Sequence, residues 1–278
     1  MPKAQLKDVE IYYEDSGSGE TVLLAPPSWW PGDTWNVGVV PALSGRYRTI
    51  IFDPRGTGRS SKPDNGYTIS QFAQDTIALL AALGISRCHA VGFALGGQIV
   101  QALAIERPDL VATLTIAAVG AGSKTTAGGV RGATHDDEGE IRAQGFERFI
   151  RGHIENTHTA FHPVFYREHP EVAAALSQAL WDGQGSFEQF RCHAEARRTW
   201  DTLGNAGKVK VPTLVLCGAA DDVNRGGSTP VATARRLAEL IQGAELSLLS
   251  GVKHMTFWDG TGGLMALQEF LARHPIRG

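Results

Sequence analysis

The chain has 278 residues, 42% of them hydrophobic and 20% charged, with a formal net charge of -3. That balance fits a globular domain, and the length suits one large domain with an insertion better than two separate domains. No lysine/arginine run stands out, which argues against nucleic acid or an anionic membrane as partner. No apolar run approaches the ~18 residues needed to cross a bilayer.

Three cysteines, Cys88, Cys192 and Cys217, lie far apart in the chain. With no C-x-x-C pair, neither a redox motif nor a metal site is indicated, and Cys88 and Cys217 read as buried free thiols beside strands. The opening Met-Pro-Lys-Ala-Gln-Leu-Lys-Asp carries no apolar signal region. A reduced, cytoplasmic protein is the expectation.

Alternation over Val9–Glu14 predicts an early antiparallel strand, closed by the Ser16-Gly17-Ser18-Gly19 turn. Two short apolar runs, Glu20–Ala25 and Tyr47–Phe52, read as strands buried on both faces. The second runs into a glycine-rich turn, Asp53-Pro54-Arg55-Gly56-Thr57-Gly58-Arg59-Ser60. A helix opens near Thr68, with Phe72, Ile77, Leu79, Leu80 and Leu83 on its apolar side, and Gly84 ends it. His89-Ala90-Val91 leads as a strand into Gly92-Phe93-Ala94-Leu95-Gly96-Gly97, and a helix follows that stops before Pro108. Leu110–Val119 is a further strand.

From about residue 121 to residue 207 the character changes. Gly and Thr cluster over Ala121–Gly129, and helical patterns rich in His and aromatics follow. We read residues 121–207 as a helical cap inserted into a core made of 1–120 and 208–278. The strand pattern resumes at Val211–Gly218. A helix near Pro230–Ile241, a strand at Glu245–Leu249 and a last helix at Gly262–Arg273 complete the chain. Alternating strands and helices imply a mostly parallel sheet covered on both faces, with ligands beyond the C-terminal strand ends. The cap histidines fit no metal-ligand spacing and read as solvated or pocket-lining; no metal and no cofactor is expected.

The strand–turn–helix around Gly92–Gly96 is the G-x-S-x-G nucleophile elbow with Ala94 at the serine position. With the strand Val22–Ala25 and its loop, the Asp53–Ser60 turn, and a late acid and histidine, four motifs stand in one order. On these the chain resembles the α/β-hydrolase fold superfamily of serine-type esterases and lactonases. The resemblance covers nearly the whole chain and is weakest in the cap. It implies an α/β-hydrolase fold: a mostly parallel central sheet flanked by helices, with an inserted helical cap.

The resemblance also carries site residues. His254, in Gly251-Val252-Lys253-His254-Met255, matches the family's base, and Asp221, three residues after Gly218, matches the acid that orients it. Asp222 is the fallback. Relatives with an earlier acid place it after the strand following the elbow, and Val119–Lys124 holds no carboxylate. The oxyanion hole takes one N–H from Leu95 and one from the loop after Ala25. That loop departs from the family's His-Gly-x pattern: it reads Pro26-Pro27-Ser28-Trp29-Trp30, and proline has no N–H to give. Ser28 or Trp29 is then the donor. An apolar pocket is assigned to Trp29, Trp30, Phe93, Trp181 and Met255, with a packed loop as the alternative for the two tryptophans. Arg55 reads as structural.

Ala94 cannot form an acyl-enzyme, and loss of the serine from such a triad costs on the order of 10⁶ in kcat. Three readings stay open. The chain is a serine hydrolase of a small or medium, largely apolar ester or lactone, inactivated by an engineered Ser→Ala change. Or the alanine is natural, and the chain resembles aminoacrylate (carbamate-type) hydrolases, whose elbow is similar, as G-H-A-L-G, and which share the R-G-T-G turn, with His254 activating water. Or the chain is a non-catalytic binding protein, against which stands the cost of an unused buried charged pair. Epoxide hydrolases and dehalogenases of the family use an aspartate at the elbow; Leu95-Gly96-Gly97 resembles the serine type. A small-molecule substrate is the expected partner, and a homodimer is left open.

Overall fold

A computed structural model describes residues 2–122, 144–183, 185–222 and 229–276. Eight strands form one sheet in the order β1-β2-β4-β3-β5-β6-β7-β8. They are β1 Lys3–Gln5, β2 Glu10–Ser16, β3 Thr21–Ala25, β4 Arg48–Phe52, β5 Cys88–Phe93, β6 Val111–Ala117, β7 Thr213–Gly218 and β8 Glu245–Leu249. β2 pairs antiparallel with β1 and with β4, and every pair from β4 to β8 is parallel. The uninterrupted apolar runs fit this placement: every residue of β3, β5, β6 and β7 is buried.

Ten α-helices lie among the described residues. In the core they are α1 Val39–Leu43, α2 Ile69–Ala82, α3 Leu95–Glu106, α9 Pro230–Leu240 and α10 Gly262–Arg273. α2, α3 and α9 cover one face of the sheet, and α1 and α10 the other. Thr68 opens α2 by accepting the Gln71 N–H at 3.1 Å, as its residue type favours. The strand expected over Leu110–Val119 is shorter, because Ala118 takes φ 50° and turns the chain out of the sheet.

β6 and β7 are sheet neighbours, although the cap lies between them in sequence. Its described part holds α4 Phe146–Glu155, α5 Pro163–Glu168, α6 Pro170–Gly183, α7 Phe187–Thr199 and α8 Thr202–Ala206, and no strand. Most of the Gly/Thr cluster at Ala121–Gly129 lies outside the described residues. Among the described residues no helix is long and apolar enough to cross a membrane. Cys88 and Cys217 are buried and unpaired, and burial pushes both thiols up to about 12.

The register brings Ala25 beside Gly92 and Phe93 beside Ala117. The ends of β3, β5 and β6 therefore meet on one edge of the sheet. β4 lies on one side of β3 and β5 on the other, so the chain changes direction at this edge, where open α/β sheets bind ligands.

Candidate active site

The elbow is built by backbone. Ala94 takes φ 50° and ψ -116°, a conformation that costs a non-glycine residue about 1–3 kcal/mol. The turn is held on both sides: the Ala94 N–H donates to Ala117 O at 2.9 Å, and the Gly97 N–H donates to Ala94 O at 3.0 Å. Gly96 allows the close approach behind it, because a Cβ there would collide with the backbone carbonyls of Ala25 and Pro26. Helix α3 thus starts against the loop after β3, with the positive end of its dipole at residue 94.

Across from the elbow, His254 Nδ1 lies 2.8 Å from Asp221 Oδ2. A carboxylate only accepts, so Nδ1 carries the proton and Nε2 keeps its lone pair. The Asp221 side chain is fully buried and that of His254 nearly so. Asp222 is instead exposed and pairs with Lys253 at 3.3 Å. Backbone bonds lock the acid loop onto the histidine loop: Ala219 N–H to Leu249 O, and Ala220 N–H to Val252 O. Gly218 permits this contact, since a Cβ there would meet Lys253 O. The Phe93 ring packs 5.2 Å from the imidazole, between centroids.

Comparison with known proteins agrees with this fold. Residues 27–261 match the family model described as alpha/beta hydrolase fold. The chain belongs to the α/β-hydrolase family. It is 31% identical over 274 residues to a protein of Variovorax paradoxus named "Putative carbamate hydrolase RutD", covering 96% of this chain and 98% of that one. It is also 31% identical over 204 residues to 3-oxoadipate enol-lactonase 2 of Acinetobacter baylyi, covering 73% and 71%. Among solved structures, Est816, described as an N-acyl homoserine lactone degrading enzyme, superposes with a TM-score of 0.79 at 26% identity, over 96% of this chain and 99% of that one. Relatives named as hydrolases support an enzyme of hydrolytic type.

Within this α/β-hydrolase the remaining expected residues fall in different places. Trp30, Phe93 and Met255 are buried in one cluster against which Ala94 packs; Trp30 lies 6.4 Å from Phe93 and 6.3 Å from Trp258. Trp181, on α6, is half-buried, packs against the same cluster and carries the Arg151 guanidinium over its ring at 5.1 Å. Arg55 is buried, with Nε and Nη2 each 2.6 Å from an Asp75 carboxylate oxygen. Burial opposes its charge, but Asp75 and the more distant Asp8 hold the proton on. A cavity of about 10 Å³, one water in size, sits among Trp29, Phe146, Ile150 and Phe190. A larger open groove of about 450 Å³ runs between α5 and the loop before α10. Neither is lined by Ala94, Leu95 or His254.

The loop after β3 sharpens the choice between Ser28 and Trp29. The Trp29 N–H is already donated, to His193 Nδ1 at 3.1 Å. The Trp30 N–H faces Pro27 O at 3.3 Å. No hydrogen bond among the described residues engages the Ser28 amide.

Sequence reasoning missed three supports. His193, on α7, is fully buried and bonds to two core loops, so it is neither solvated nor pocket-lining. Ala160 O accepts the His254 N–H at 3.0 Å, tying the histidine loop to the cap. Asp259 Oδ2 accepts the Lys253 N–H at 2.7 Å and the His162 N–H at 2.8 Å. Burial raises the Asp259 carboxyl, against the lowering effect of those two amides. Ala160 acts through its carbonyl and has no side-chain signal. Asp259 differs from other loop acids only in where its loop folds.

Proposed function

We propose that this hydrolase cleaves a small, activated acyl compound of the carbamate type by direct attack of water. The carrying observation is the pairing of His254 with Asp221 beside an elbow whose side chain is a methyl group. A base is held and oriented, and the elbow offers it no hydroxyl. Water is then the nucleophile. As it adds to the carbonyl carbon, its proton passes to His254 Nε2, and Asp221 stabilises the imidazolium. The carbonyl oxygen becomes an anion, met by the Leu95 N–H at the start of α3 and the Ser28 N–H. Collapse breaks the bond to the nitrogen or oxygen leaving group, which takes the proton back from His254. The chain supplies no covalent intermediate, so the substrate must bring a good leaving group. Trp30, Phe93 and Met255 form the apolar wall at this site. The elbow resemblance to G-H-A-L-G hydrolases and the similarity to the carbamate hydrolase of Variovorax paradoxus support the natural-alanine reading.

A second reading is supported by the enol-lactonase relative and the likeness to Est816: an ester or lactone hydrolase scaffold in which Ala94 stands where a serine would act. One experiment separates the two. The unaltered chain and its Ala94→Ser variant are assayed against p-nitrophenyl carbamate, p-nitrophenyl acetate and a γ-lactone. Turnover of the carbamate by the unaltered chain, abolished in His254→Ala, is the expected result. Turnover only after Ala94→Ser, and only of the ester or lactone, transfers the assignment to the second reading. Specific ligand binding without turnover by either protein returns it to a binding protein.

A further inference from the structure

We propose that His193 is a positioning residue whose bond to the Trp29 amide sets the loop that stabilises the anion; this rests on the oxyanion role given above to Ser28.

His193 is on cap helix α7 and has no exposed surface. It is packed edge-on against Phe72, 5.0 Å between centroids, and tilted against Tyr67 at 5.7 Å. Its Nε2 lies 2.9 Å from Arg55 O in the glycine turn after β4. A carbonyl only accepts, so Nε2 carries the hydrogen and Nδ1 is left with a lone pair. That lone pair faces the Trp29 N–H. The two core loops therefore fix the tautomer between them, and one neutral ring joins three separate segments.

Trp29 needs such a support. It takes φ 55°, an outlier for a bulky residue. Such strain persists only where the surroundings over-determine it. Here they do so from the cap: the indole lies 5.5 Å from His153 on α4 and 5.7 Å from Phe190 on α7, and the amide is tied to His193. The Trp29 N–H belongs to the peptide plane it shares with Ser28. With that plane pinned, the Ser28 residue keeps the backbone direction that leaves its own amide unspent. Without the Nδ1 acceptor, a buried N–H would lose its partner, and rotating the plane would relieve both that cost and the strain. The consequence falls on catalysis: a seated cap and a shaped oxyanion loop become one event.

The test exploits the two ends of the ring. His193→Asn keeps an acceptor where Nδ1 was and loses the donor to Arg55. His193→Gln places a donor where Nε2 was and loses the acceptor for Trp29. Each removes one bond, so a role in packing alone predicts equal losses. The variants are made in the unaltered chain, assayed with p-nitrophenyl carbamate, and in the Ala94→Ser background, assayed with p-nitrophenyl acetate. Misplacing a reacting group by about 1 Å costs on the order of 10² in rate. His193→Gln is accordingly expected to lower kcat by about 10²-fold, with KM changed by less than about threefold, while His193→Asn stays within about threefold of its parent in kcat. Equal losses of kcat, or a loss confined to KM, overturn the proposal. Amide hydrogen exchange at Trp29, read in the same variants, keeps a failure of the functional reading distinguishable. If neither parent turns over its substrate, the functional reading falls, and the positioning role in catalysis falls with it. Protection retained in His193→Asn and lost in His193→Gln then shows that the bond still shapes the loop.

Discussion

The two halves of the candidate site are held in place differently. The base side is braced at several points, mostly by backbone: Ala160 O takes the His254 N–H, main-chain bonds join the acid and histidine loops, and the Asp259 carboxylate adds a bond to the Lys253 amide. The anion side hangs on a side chain, the buried imidazole of His193 under Trp29. A main-chain brace is indifferent to which residue carries it. An imidazole brace depends on residue identity, tautomer and proton. Away from Gly218 and Asp259, the base side should therefore be tolerant of substitution around it, and the anion side sensitive to both substitution and acid.

The largest expected effect comes from removing the base itself. His254→Ala should lower kcat/KM by about 10²–10⁴. Asp221→Asn should cost up to about 10⁴, because the wrong tautomer leaves Nε2 without its lone pair. Asp222→Asn, at a surface position, should be near neutral; parity between the two aspartates in steady-state kinetics would undo the assignment.

Next comes the pair beneath the anion side. Arg55→Met strands Asp75 as a buried unpaired charge, a change worth about 3–5 kcal/mol of stability. Urea unfolding should show it as a shifted midpoint with little change in slope. A loss below about 1 kcal/mol would mean that Asp75 finds water or another partner.

Acid should then tell the halves apart. Burial lowers His193 from an ordinary value of 6.5 to about 4, partly offset by the Arg55 carbonyl. The unfolded chain takes this proton readily and the folded chain does not, so acid favours unfolding. The contribution of the neutral ring is whole above pH 6.5 and is lost as the pH falls toward 4, on the order of 3 kcal/mol in total. The melting temperature of the parent should fall faster through this window than that of His193→Asn, which has no proton to take up. Parallel curves would show that other groups carry the acid response.

The smallest expected effect is at the elbow. Ala94→Gly relieves a left-handed φ but frees the unfolded chain, leaving a net gain of up to about 1 kcal/mol in thermal or urea unfolding. A lower melting temperature would mean that the methyl packing outweighs the backbone strain.

Much of this was legible from residue order. Apolar runs located β3 to β7, because strands buried on both faces leave no room for polar alternation. The glycines at 92 and 96 located the elbow. Spacing after Gly218 favoured Asp221 over Asp222, and the fold separates them: one side chain meets His254, the other is exposed beside Lys253. The oxyanion loop was only half legible. Its prolines excluded donors, but that Trp29 had spent its amide depends on a cap residue 164 positions away. His193 was visible as one of several cap histidines and nothing in its neighbours distinguished it. Its role comes from long-range packing, which local pattern does not encode.

A methyl group at the elbow also limits what the site can give away. An enzyme that parks its acyl group on an oxygen holds it long enough for alcohols or amines to compete with water for it. Ala94 offers no such stop, so the proposed mechanism predicts no initial burst and no acyl-enzyme for methanol or hydroxylamine to trap. The chain keeps the turn that presents a nucleophile, and in the proposed mechanism water takes the place of the side chain that the turn would present.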